Sequence, residues 1–336
     1  TNFLDYKQTI HAVYSQFGKK WNGFSFLAGL RYEHTDWTVL QKNTSESGNN
    51  IFDGLFPTLN IGVEFSETAN LTFGYNRRLS RPGARELNPF RSRSSETSFF
   101  QGNPNLRPSY SDGFDLGFLK QFKKFTLNSS IYFRRTYEPR QRVTVESGEF
   151  VEVNGENTAV IKRFPVNFGS QDRLGIEANS TISWSPTWRT NLSFNVFKSI
   201  DKGKYENLVL DNENKSWSGN FRNNLKLPWG INTQINIRYL GPQESAYGNR
   251  KGYSSTSLGL NKDILNDNAT INLNFNDVFN RGIWRWSSFT ENISTVAEYQ
   301  RRKPFYKITF TYRFRQEKDR QRRGGGDYDS SEGFDM

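Results

Sequence analysis

Five arginines, Arg81, Arg85, Arg91, Arg93 and Arg107, fall in one stretch of the chain and are interleaved with Phe90, Phe99 and Phe100. A guanidinium is a planar fork of donors that suits carboxylate or phosphate oxygens, and neighbouring rings supply contact area. Arg81, Arg85, Arg91, Arg93, Phe99, Phe100 and Arg107 are therefore the candidate ligand-binding residues. The same residue types also serve to fold a long loop or to touch the phosphates of a lipid surface, and these uses stand beside ligand contact.

Other chemistries find little material. The 336 residues include two histidines, His11 and His34, and no cysteine. No catalytic residue, metal site or cofactor is assigned on this basis, and the chain is not expected to be an enzyme. Disulfides are excluded outright. The run Arg320 to Gly326, Arg-Gln-Arg-Arg-Gly-Gly-Gly, is a single basic cluster with no stacking aromatic inside it, so nucleic acid is not expected as a partner. The net charge of +11 suits an anionic ligand or surface phosphates.

The elements that carry these residues show a period of two. Phe24, Phe26, Ala28, Leu30 and Tyr32 alternate with Ser25, Leu27, Gly29, Arg31 and Glu33, and Tyr306, Ile308, Phe310, Tyr312 and Phe314 alternate with Lys307, Thr309, Thr311 and Arg313. Such alternation places an apolar row on one face of a strand and a polar row on the other. Aromatics make up 15% of the chain while the mean hydropathy is −0.78, because each apolar side chain is diluted by a polar neighbour. No run of about 18 apolar residues exists to form a spanning helix, whereas a barrel strand needs only about 10 alternating residues.

Short turns are expected at 20–23, 66–68, 228–230 and 266–268. Long segments at 36–55, 80–108, 138–170, 200–213 and 241–250 are rich in Gly, Pro, Asn, Ser and Arg. Short turns at one end and long loops at the other is the asymmetry of an outer-membrane barrel. Trp21, Trp184, Trp188 and Trp229 fall beside short turns, and Trp37, Trp217, Trp284 and Trp286 near long-loop ends, which implies two membrane-interface girdles. Trp217 and Trp229 are separated by a stretch of strand that, at ~3.3 Å per residue and a tilt of roughly 40°, spans about 30 Å. A soluble β-sandwich also alternates, but it has no need of Trp at both ends of so many strands.

Taking Ala269 to Phe289 and Thr295 to Phe314 as the final hairpin, with its tip at Glu291-Asn292-Ile293-Ser294, gives roughly thirteen strands. Single-chain bacterial barrels have even counts, so an odd number predicts an open sheet with two free edges, the C-terminal portion of a larger barrel. Residues 1–315 are assigned to the barrel. Residues 316–336, charged and then Gly-rich, are expected to be a disordered periplasmic tail.

Several blocks carry a family resemblance. Tyr75-Asn-Arg-Arg-Leu-Ser-Arg-Pro82, Leu87-Asn-Pro-Phe90, Gln101-Gly-Asn-Pro-Asn-Leu-Arg-Pro108 and Phe114-Asp-Leu-Gly-Phe118 resemble the C-terminal barrel of TonB-dependent outer-membrane receptors. The likeness is strongest to the outer-membrane β-barrel family common in Bacteroidota. Asn274-Phe-Asn-Asp-Val-Phe-Asn280 resembles the penultimate-strand motif of these receptors, and Tyr312-Arg-Phe314 their terminal signal. The resemblance implies an all-β, antiparallel transmembrane β-barrel of about 22 strands, of which these are the C-terminal part. It further implies a bacterial outer-membrane location, uptake of a scarce ligand, and energy from the TonB complex through an N-terminal plug that lies outside this sequence. Implied partners are outer-membrane lipid, lipopolysaccharide and a surface lipoprotein. The alternative is a structural or assembly subunit that keeps the barrel without transporting. On either reading Arg31, Glu64, Asn76, Arg78, Asn128, Arg134, Glu177, Arg222 and Arg238 form a solvated lumen wall.

Overall fold

In the computed structural model, the described residues are 2–206, 208–246, 248–289 and 294–314. Thirteen strands form one antiparallel sheet, paired in chain order. They are β1 (Leu4–Trp21), β2 (Phe24–Gln41), β3 (Glu46–Ser66), β4 (Ala69–Ser80), β5 (Ser109–Gln121), β6 (Phe125–Tyr137), β7 (Ser170–Ser185), β8 (Trp188–Lys202), β9 (Asn212–Lys226), β10 (Ile231–Leu240), β11 (Tyr253–Ile264), β12 (Ala269–Asn276) and β13 (Phe305–Tyr312). The order is linear, and among the described residues β1 and β13 do not pair with each other. The expected count and the two free edges are both present.

The register carries one apolar face across the whole sheet. Tyr75 stands opposite Phe114, Phe114 opposite Phe133, Phe133 opposite Leu174. Further along, Ile131, Ile176, Val196 and Trp217 continue the row. Apart from the half-buried Tyr75 and Phe133, these side chains are exposed, Ile176 at 50% and Leu174 at 55%, so the apolar surface of the sheet is on its outside. The opposite face carries Asn76, Arg134, Glu177, Arg222 and Arg238 in register with polar or glycine partners, and Arg31 between Tyr14 and Phe56. A sheet with an exposed greasy face and a polar second face is built for lipid on one side and water on the other.

Turn chemistry fixes the short end. Asn22 and Gly23 both have positive φ, 44° and 77°, the geometry of a two-residue turn that matches strand twist. Leu265, Asn266 and Asp267 follow one another in the same left-handed region. At this end Trp21, Trp184, Trp188 and Trp229 are exposed on the apolar side or at the turns. At the far end Trp217 is exposed and stacks on Tyr239 with centroids 4.2 Å apart.

Three expectations are corrected. Trp37 is not in a girdle: it is fully buried with Val39, Leu87 and Leu106. Its odd position puts it in the polar-face row with Arg31 and Glu33, so parity decides against lipid. Trp284 and Trp286 also lie off the wall, in a four-stranded loop sheet made of Gln243–Ser245, Gly248–Arg250, Trp284–Phe289 and Ser294–Tyr299. The final hairpin is therefore not two long continuous strands. Asp277 takes φ 51°, its carboxylate accepts the Arg281 and Gly282 amides at 3.1 and 2.8 Å, and the chain leaves the wall there. The expected hairpin tip at 291–293 lies outside the described residues, as does the tail 316–336.

The long segments are structured rather than irregular. Much of 36–55 is simply the continuation of β2 and β3, which pair through Gln41 and Glu46. Most of 138–170 is a second hairpin, Arg140–Val153 against Glu156–Asn167, with Ser92–Ser95 and Ser98–Phe100 added at its edge.

Candidate ligand site at the long-loop end

Two arginine-rich regions sit at the long-loop end of the sheet. The first is segment 81–108, which folds over the polar face and is held on every side. Gly102 passes so close to the 86–88 backbone that an added Cβ would lie 2.5 Å from the Asn88 carbonyl and 2.6 Å from that of Glu86. The Gly102 and Asn103 amides bond to these two carbonyls at 2.8 and 2.7 Å. Three residues after Asn103, Leu106 closes the core with Trp37 and Leu87, and the Arg107 amide donates to Asn167 Oδ1 at 2.8 Å. The Gly-Asn-Pro-Asn-Leu-Arg-Pro block is thus the fastening of this loop.

The arginines of the segment are engaged. Arg81 is ion-paired with Glu33, both largely buried, and its guanidinium also reaches Thr35 at 3.1 Å. Arg91 pairs with Glu149 at 2.5 Å and covers Phe99 at 4.8 Å. Arg107 pairs with Glu138 at 2.8 Å. Arg85 lies over Phe100 at 5.3 Å, and Arg93 donates to the Glu96 carbonyl at 3.4 Å. Phe99 is buried, at 1% exposure. Phe100 is shared, for Arg142 of the neighbouring hairpin covers it as well, at 5.6 Å.

The second region is a cleft of about 420 Å³ between the polar face of β7 to β9, the 140–167 hairpin and the loop sheet. Arg142, Arg173, Phe197, Asp201, Arg250 and Trp286 are among its lining residues. β7 and β8 place Arg173 and Phe197 on the polar face because Leu174 and Val196 occupy the apolar one. The Arg173 guanidinium sits 3.7 Å from the Phe197 ring centroid, and Arg250 sits 5.0 Å from that of Trp284. Burial pushes the Arg250 guanidinium, on the loop sheet, below its usual pKa. The Gln171 amide donates to the Asp201 carboxylate at 2.7 Å.

Across the β6–β7 pair, Arg134 stands directly opposite Arg173. Cross-strand like charges at facing positions are destabilising. The sequence placed Arg134 in the lumen wall but gave no sign of this partner, nor of Arg142, Arg250 or Trp286 in the same cleft. Parity alone puts Arg173 on the polar face; its meeting with Arg134 depends on a register set across the intervening hairpin.

The two histidines stand opposite one another across β1 and β2. His34 Nδ1 lies 2.8 Å from Asp53 Oδ1 on the apolar face, while Glu33 faces the other way to Arg81. Among the described residues there is no group of three or more His, Cys, Asp or Glu arranged to hold a metal.

The profile of the outer membrane protein beta-barrel family matches residues 1–312. The chain belongs to this family. Membership places the protein in the bacterial outer membrane and gives the exposed apolar face its solvent, the lipid. No curated protein sequence matches the chain. Among solved structures, the barrel is similar to the FrpB iron transporter from Neisseria meningitidis (F3-3 variant), with a TM-score of 0.58 at 15% identity over 93% of this chain and 45% of that one. It is also similar to the ferric yersiniabactin uptake receptor FyuA from Yersinia pestis, with a TM-score of 0.60 at 11% identity over 91% and 45%. The ferric enterobactin receptor PfeA in complex with BCV-L6 gives a TM-score of 0.56 at 13% identity over 91% and 54%. The outer-membrane barrel described here spans about half the length of these structures, and the likeness is one of fold.

Proposed function

We propose that this outer-membrane barrel is the wall of a TonB-dependent receptor that takes up a scarce ligand arriving at the long-loop end. The observation that carries the reading is the asymmetry of the sheet. One end is closed by short turns, and the other bears hairpins folded over the polar face to enclose a polar cleft. A wall used only as a scaffold has no need to enclose such a cleft above its water-facing side. The fold shared with iron and siderophore receptors supports the same reading.

The two free edges extend it. Unpaired strand backbone facing hydrocarbon is costly, so further strands complete the barrel around a lumen into which Arg31, Glu177, Arg222 and Arg238 project. A plug in that lumen would relay energy from TonB. The polar face is chemically suited to it, being lined by hydrogen-bonding groups rather than by a greasy core.

The gene upstream of Thr1 provides the first test. An encoded plug with a TonB box is the expected result, together with loss of ligand accumulation when TonB is depleted. A plug without the box, or accumulation that does not depend on TonB, would contradict transport and favour a structural or assembly subunit.

A further inference from the structure

We propose that the cleft over Arg173 binds a compact, multiply charged oxyanion presenting carboxylate or phosphate oxygens, held by the guanidiniums of Arg173 and Arg250. The proposal rests on the uptake reading above and names the chemical class of the ligand.

The first support is an unresolved repulsion. Arg134 and Arg173 face one another in strand register, yet among the described residues no ion pair within 4.0 Å engages Arg134, Arg142, Arg173 or Arg250. Elsewhere in the long-loop region arginines do find carboxylates, as Arg81, Arg91, Arg107 and Arg140 show. The cleft lacks the pairing found at these four positions, although Arg85 and Arg93 nearby are held by a ring and a carbonyl instead.

The second support is unmet hydrogen bonding. The Nε–H groups of Arg173 and Arg250 are both shielded from solvent and lack a partner among the described residues. A buried donor left unpaired costs stability, and an arriving oxygen atom removes that cost. Phe197 beneath Arg173 and Trp284 beneath Arg250 hold the planes of the two guanidiniums, which leaves their edges to accept a bidentate ligand. Burial holds the Arg250 guanidinium below its ordinary value, as expected of a cation stripped of water.

The third support is location. The cleft opens from the polar face of the sheet, so headgroup phosphates of the surrounding lipid, which meet the apolar face, do not reach it. The ligand comes from the aqueous side. Arginines outnumber carboxylates on the lining, where Asp201 and Glu244 are the acidic members. Asp201 accepts from the Gln171 amide and, although it attracts Arg173, makes no ion pair with it within 4.0 Å, so the guanidinium edge stays open to a ligand. A neutral sugar would leave them unpaired.

The test uses the full-length protein in lipid nanodiscs, titrated calorimetrically with pyrophosphate, with citrate and with maltotriose as a neutral probe. Saturable binding of pyrophosphate or citrate is expected, with about a tenfold loss of affinity in Arg173→Gln and in Arg250→Gln. Lys226→Gln, at the short-turn end, should bind as the unaltered protein does. Arg173→Lys keeps the charge without the fork and should be weakened as well. The stronger of the two anions tells phosphate from carboxylate. No saturable binding of either anion at concentrations on the order of 10 mM, binding of maltotriose alone, or anion binding indifferent to both arginine changes would overturn the proposal. If Arg173→Gln does not fold, Arg250→Gln decides, since Arg250 lies on a loop hairpin outside the wall. Uptake bears on the other reading separately. Anion binding in a protein whose uptake ignores TonB would leave this site standing and remove the receptor.

Discussion

Segment 81–108 and the Arg173 cleft lie at the same end of the sheet and are both rich in arginine, but they use it in opposite ways. In the segment, Arg81, Arg91 and Arg107 each have a carboxylate partner, and Phe99 is packed away from solvent. In the cleft, Arg173 faces Arg134 and, like Arg81, keeps an unmet Nε–H donor, but among the described residues it makes no ion pair within 4.0 Å. The contrast teaches that density of arginine in a sequence does not locate a ligand. What matters is whether the fold has already supplied the counter-charge. A cation paired within the protein serves structure, whereas one desolvated without a partner is poised for something from outside.

The largest effect should come from the core beneath the first region. Trp37→Ala removes a fully buried ring from the cluster with Leu87 and Leu106 and should destabilise by about 4 kcal/mol, read as a lower thermal transition with anion affinity in the cleft retained. Next, Glu33→Gln takes the partner from Arg81 where both side chains are mostly buried, and should cost about 3 kcal/mol. The sign should reverse in the cleft. Arg173→Met relieves the repulsion with Arg134 while keeping contact with Phe197, so without an anion it should be more stable by about 1 kcal/mol while losing anion binding. Destabilisation of this variant would break the comparison.

The smallest effect belongs to Arg93→Gln. Its guanidinium makes one long bond, to the Glu96 carbonyl at 3.4 Å, and the change should alter stability by less than about 0.5 kcal/mol and leave anion affinity as it was.

The two faces of the wall were legible in the sequence because a period of two is a local property. Phe24 through Tyr32, or Tyr306 through Tyr312, reveal their faces with no knowledge of a neighbour. The strand count was legible for the same reason. Trp37 lies near a long segment, which points to a girdle, but its parity groups it with Arg31 and Glu33 and decides its face. The break in the last hairpin had a signal in Asn276-Asp277, residues that readily leave a strand, but the alternation resuming at Trp284 concealed it. The cleft was not legible. Arg134 and Arg173 are brought together by a register set on the far side of the 140–167 hairpin, and Arg250 arrives through the loop sheet. Non-local pairing of this kind leaves no mark in the local pattern.

The most direct test of the contrast is a structure of the full-length barrel determined in the presence of tungstate, a heavy oxyanion that is located without ambiguity. The account predicts tungstate density within hydrogen-bonding reach of Arg173 and Arg250, and none on Arg81, Arg91 or Arg107. Density on the paired arginines of segment 81–108, or a cleft that stays free of the anion at saturating tungstate, would contradict it.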